Sequence, residues 1–282
     1  MSELKKEEYE EPRCVLCMDQ NNVTPIPVAR VTEKLDSYLN KKDYAAAERH
    51  LAYWLREAEA GSDTRGALAV RNEQIGLYRK LGKKDECLAA AEAALSAARA
   101  PEFDGTVTRG TTFVNAATAY KAFGMPETGI PLYREAQILY ERYLKPDDCR
   151  LGGLYNNMAL ALAELNRFSE ARAAYEKAME VMSRAEHGEA ELAITCLNLA
   201  DLCAAEQGLE EGETQINGYL DRAEAWLDTE SFPHDAYFAF VCEKCAPVFG
   251  YYGRFLTEEK YSRLAKEIYA AHGAEYKGDH GV

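Results

Sequence analysis

The chain is predicted to be all-α: a superhelical solenoid of about six antiparallel helix pairs. Three observations predict this. A two-residue mark returns every 42 residues, at Leu39-Asn40, Leu81-Gly82, Phe123-Gly124, Leu165-Asn166, Gln207-Gly208 and Phe249-Gly250. Between marks the apolar residues recur at spacings of three and four, the helical period. The chain has 282 residues, above the ~250 at which a single compact core stops growing, yet no Gly/Ser/Pro linker divides it. A stack of repeats resolves that tension, because each unit adds its own slice of core.

The pairs are read in order over 26–60, 67–100, 110–146, 152–188, 193–229 and 235–272. In the second, LAVRNEQIGLYRKL and KDECLAAAEAALSAAR each carry a helical apolar stripe on either side of Gly82. Each mark is read as a helix C-terminus, where glycine adopts positive φ without a Cβ penalty and asparagine is the next most tolerant residue. Asp43, Ser169 and Thr257 are placed as N-cap or first-turn residues of second helices, and Ala45 to Ala47 allow close helix packing. In the fifth pair the run LEEGETQINGYLDRAEAWL has lost the alternation expected of a second helix. In the sixth, Pro247 is expected to interrupt the first helix. These two units are expected to be distorted, the last acting as a cap. The domain reading is an acidic segment with a CxxC over 1–25, the repeat array over 26–273, and a tail over 274–282.

The third and fourth pairs carry Asn115, Ala117, Tyr120, Phe123-Gly124, Tyr133 and Ala136, then Asn157, Ala159, Leu162, Leu165-Asn166, Ala171, Tyr175 and Ala178. This alternation of small and large residues resembles the tetratricopeptide repeat (TPR). The 42-residue period resembles the long-helix variant of kinesin light chains and of many bacterial TPR proteins. The resemblance implies a concave face lined by the first helix of each pair, and a protein- or peptide-binding adaptor or regulatory module rather than an enzyme.

On those first helices Asn72, Asn115, Asn157 and Asn198 recur at spacings of 43, 42 and 41. A carboxamide offers two donors and an acceptor, so a row of them can bond the N–H and C=O groups of an extended peptide, or else bridge neighbouring helices. Arg71, Tyr155, Asn156 and Asp201 are their neighbours and complete the expected ligand-binding set. Most of the 18 tyrosines, including Tyr78, Tyr120, Tyr133 and Tyr175, occupy large-residue core positions. Tyr237, Tyr251 and Tyr252 are less regular and are candidates to line a pocket.

Two CxxC pairs, Cys14/Cys17 and Cys242/Cys245, make a four-thiolate inventory that admits zinc. The alternative function built on it is a zinc- or thiol-dependent sensor in which the pairs tether the N-terminal segment to the last repeat. Against it, helical CxxC pairs often serve as packed small hydrophobes. Cys87 and Cys203 fall at small core positions. No other cofactor is required, and no nucleophile–base pair or phosphate-binding loop is present in the sequence. Lys and Arg total 33 against 47 Asp and Glu, a formal charge of −14, which argues against nucleic acid. No stretch approaches a membrane span, and the eight cysteines, spread through helical patterns, read as reduced thiols. A cytoplasmic location is expected.

Overall fold

The computed structural model describes residues 23–229 and 233–271. Among them are twelve α-helices and no strand, arranged as six consecutive pairs. They are α1 (Val28–Asn40), α2 (Tyr44–Ala60), α3 (Thr64–Lys80), α4 (Lys84–Ala98), α5 (Val107–Ala122), α6 (Pro126–Tyr143), α7 (Cys149–Glu164), α8 (Phe168–Met182), α9 (Glu189–Gln207), α10 (Glu213–Leu227), α11 (Ala236–Tyr251) and α12 (Phe255–Ala271). Each odd helix packs on the even helix of its pair and also touches the next odd helix. The odd helices therefore form the inner layer of the solenoid. The core runs between the layers, from Val31, Leu35 and Leu51 at one end, through Phe113, Tyr133 and Tyr175, to Phe238, Phe249 and Tyr261 at the other.

The turns have a common backbone reason. The N–H groups of Asp43, Lys83, Met125, Arg167 and Arg254 each donate to the carbonyl five residues back, at 2.9 Å, the helix-terminating bond that requires a left-handed residue just before the donor. Gly124 fills that position at φ +75° and Asn166 at φ +57°. In the first pair Lys42 takes it at φ +57°, and in the last Gly253 at φ +80°. Asn40 and Gly250 themselves are helical, so the 42-residue mark slips by a few residues at the two ends. The hydrogen-bonded position, not the sequence mark, decides where the chain turns. Asp43 is an N-cap, its carboxylate accepting the Ala46 N–H at 3.0 Å.

The two pairs expected to be distorted are regular. Helix α10 buries Ile216, Leu220, Ala223 and Leu227, a narrow stripe at i, i+4, i+7 and i+11 that serves a helix packed mainly on one partner. Helix α11 continues through Pro247. Proline there removes one helix hydrogen bond, but Pro247 and Glu243, whose carbonyl loses its donor, are both exposed, so water can satisfy that group. Burial of Cys242, Cys245, Ala246 and Phe249 on the opposite face holds the helix together.

Candidate functional site

The inner layer carries two cavities separated by asparagines. The first, about 190 Å³, is bounded by α1, α3 and α5, with Asn72, Gly76, Arg79, Asn115, Thr118 and Asn157 among its lining residues. The second, about 540 Å³, lies toward the N-terminal ends of α5, α7, α9 and α11, and the tail of α8 closes its side. Val114, Leu154, Met182, Tyr140 and Tyr237 supply apolar wall, and Thr111, Asn115, Arg150, Asn157, His187 and Glu191 supply polar groups. An apolar pocket of this size with a few convergent polar groups has the character of a binding site.

Asparagines 115 and 157 line both cavities. Within the inner layer, Asn72 donates to the Leu68 carbonyl at 3.1 Å and to Thr112 Oγ1 at 3.0 Å, and its Oδ1 accepts from Asn115 Nδ2 at 3.1 Å. Asn72 is thereby used internally, tying α3 to α5. Asn157, 4% exposed, donates once, to the Gly153 carbonyl of its own helix at 3.0 Å. By the donor and acceptor count of a carboxamide, Asn115 and Asn157 each retain one N–H and the oxygen. Asn198 is half-buried on α9 and lines neither cavity.

The remaining expected residues are placed differently. Arg71 turns to the preceding pair and bonds Glu59 at 2.6 Å. Tyr155 sits in a cleft with residues of α6 and α8, its hydroxyl donating to Glu141 at 2.6 Å and Lys177 lying over its ring. Asn156, 1% exposed, accepts from Thr195 Oγ1 at 3.0 Å and so joins α7 to α9. Each follows from its angular position: 100° per residue carries neighbours of a groove-facing asparagine to other faces of the helix. Asp201 accepts the Tyr252 hydroxyl at 2.8 Å in a separate shallow depression that Tyr251 and Leu209 also line.

Some lining residues lay outside the sequence reading. Thr111 and Tyr140, whose hydroxyls share a 2.8 Å bond, and Met182 all enter the second cavity. Tyr237, one of the less regular tyrosines expected to line a pocket, lines it as well and donates to Glu191 at 3.0 Å. The available signal was glycine: Gly76 and Gly153 stand inside helical patterns, where glycine is unfavourable without a packing or functional reason.

Cys242 and Cys245 are 0% and 1% exposed and belong to the core cluster of the last two pairs. Burial pushes the Cys242 thiol up to about 12 and raises Cys245 further. These raised values belong to the metal-free pair, since a coordinated zinc ion deprotonates the thiols that bind it. Cys14 and Cys17 lie outside the described residues. Among the described residues, no three or more His, Cys, Asp or Glu side chains converge as metal ligands. Cys87 and Cys203 are fully buried, as their positions predicted.

Residues 108–184 match the tetratricopeptide repeat family model. No curated protein matches the chain. Among solved structures, BtubC (BKLC) from P. vanneervenii is similar at 20% identity, covering 85% of this chain and 94% of its own, with a TM-score of 0.55. A putative kinesin light chain from Podosopora anserina with nearly identical TPR-like repeats is similar at 14% identity, covering 74% of this chain and 97% of its own, with a TM-score of 0.53. These likenesses establish an all-α, TPR-like solenoid. No helix among the described residues is long and apolar enough to cross a membrane.

Proposed function

We propose that the chain is a protein-binding module, an adaptor or regulator, that holds a segment of a partner against the inner layer across Asn115 and Asn157. One observation carries this reading: two carboxamides with unused donors and acceptors stand between two cavities, the larger of which has apolar walls. Peptide groups complement carboxamides, and an apolar partner side chain complements a cavity walled by Val114, Leu154 and Met182. The TPR-like fold supports binding as the general role. No catalytic step enters this reading.

The test is a pull-down from the native host, comparing the chain with N115A and N157A. Loss of the same partner from both variants, each still helical and folded at the assay temperature, is the expected result. Equal capture by all three would move the binding surface away from this groove.

A further inference from the structure

Neighbouring pairs are bridged at a fixed place in the inner layer. Asn72 of α3 donates to Thr112 of α5 at 3.0 Å, and Asn156 of α7 accepts from Thr195 of α9 at 3.0 Å. Counted back from the left-handed residue that closes each inner helix, the forward-reaching group has one position. Asn72 stands ten residues before Gly82, and Asn156 ten before Asn166. The receiving group has another, Thr112 standing twelve before Gly124. Between α5 and α7 the same two positions hold Val114 and Leu154, apolar with apolar.

The same count singles out one residue at each end of the solenoid. In the last pair the forward position, ten before Gly253, is Glu243. In the first pair the receiving position, twelve before Lys42, is Arg30. Both side chains are exposed, and Glu243 accepts the Tyr269 hydroxyl at 3.4 Å. Arg30 belongs to a built face. On α3 the face toward the first pair buries Val70, Gln74 and Leu77; the equivalent positions on α1, 40 residues earlier, are Arg30, Lys34 and Ser37. With Pro27, Glu33, His50 and Trp54 they line a cleft of about 520 Å³.

Terminal repeats carry polar outer faces for solubility, but solubility leaves the sign of the charge open. Here the two ends differ in sign at the two matching positions. The surrounding charge follows the same division: residues 23–122 carry 15 Lys and Arg against 13 Asp and Glu, and residues 123–271 carry 14 against 26. Two tails therefore repel, two heads gain little, and head on tail is the favoured encounter.

We infer that the chain self-associates head to tail. The last pair of one copy stacks on the first pair of the next, and Glu243 pairs with Arg30 of the next copy, continuing the series of inner-layer bridges across the junction. Such a contact is heterologous and leaves one head and one tail free, so it propagates into open chains instead of closing as a two-fold dimer. Because charge leads it, salt weakens it.

The test is sedimentation of the full chain over a range of concentrations at low and high salt. At low salt the average mass is expected to grow with concentration without a plateau at the dimer, and at high salt to return to the monomer. R30E and E243R each place like charges at the junction and are expected to weaken association by about tenfold or more. E176R, on the exposed face of outer helix α8, is expected to leave it unchanged. An equimolar mixture of R30E and E243R is expected to recover association, because each tail then finds a head of opposite charge; recovery also shows that both variants are folded. A monomer at every concentration overturns the inference. So does association that either variant keeps, that E176R loses equally, or that the mixture fails to recover.

Discussion

Asn115 donates its side-chain amide to the carboxamide oxygen of Asn72, 3.1 Å away and 43 residues earlier in the chain, while Asn157 turns its amide back onto its own helix at Gly153. The recurring asparagines thus divide into two kinds of work. Asn72 joins neighbouring repeats; Asn115 and Asn157 present unused polar groups to the inner face.

That division predicts different responses to alanine. N72A leaves the Asn115 amide and the Thr112 hydroxyl without a bond each now makes, and should lower stability by about 1–3 kcal/mol, the cost of unsatisfied buried polar groups. N157A removes a single bond within its own helix and should cost less, with its larger effect on binding. Chemical denaturation of the two variants checks the order, and a larger loss for N157A would reverse the assignment.

The turns give a sharper stability prediction. Gly124 sits at φ +75° with open space around its missing Cβ, so conformation alone governs a substitution. G124V should lose about 1–2 kcal/mol, because a β-branched residue is penalised in the left-handed region. An unchanged melting temperature would remove the helix-terminus account of the mark.

Asp148 caps α7 through the Arg150 N–H at 3.0 Å and holds the Arg150 guanidinium at 2.9 and 2.7 Å. Those bonds from Arg150 keep its carboxyl below the usual 3.8, against the opposing effect of burial. A depressed carboxylate pKa contributes stability that is present above the unfolded value and lost as pH falls through the folded one. D148A should therefore be less stable at neutral pH by about 1 kcal/mol, the usual cost of a lost cap. The deficit should shrink below pH 3.8. Melting curves at pH 7 and pH 3 decide it, and an equal deficit at both would show that charge plays no part.

Site-resolved alkylation of the native protein tests the packing of the thiols. Cys149 is exposed, whereas Cys87, Cys196, Cys203, Cys242 and Cys245 are buried. Cys149 should modify rapidly and those five only after unfolding. Rapid native labelling of Cys242 and Cys245 would mean that the pair leaves the core, as the metal-tethered alternative requires.

The solenoid was legible because periodicity survives in every repeat: helix pairs and interior turns follow from small residues at a fixed interval. The terminal turns at Lys42 and Gly253 were not, since the bond that closes a helix is a property of backbone position rather than of one residue type. Continuity through Pro247 was hidden for a related reason, as burial on the opposite face outweighs a local penalty. Within the site, Asn115 and Asn157 were readable as a recurrence. Arg71, Tyr155 and Asn156 were read only as neighbours in sequence, and a helix sends such neighbours to different faces. Met182 and Tyr140 reach the cavity from outer helices, a meeting that only the tertiary arrangement specifies.

The most direct measurement of the central claim is site-specific photo-crosslinking in the native host. A benzophenone side chain replaces Val114, which lines both cavities, or Glu176, which is exposed on outer helix α8. The account predicts a discrete crosslinked partner from position 114, reduced by N157A, and none from position 176. A partner captured from position 176 and absent from position 114 would contradict it.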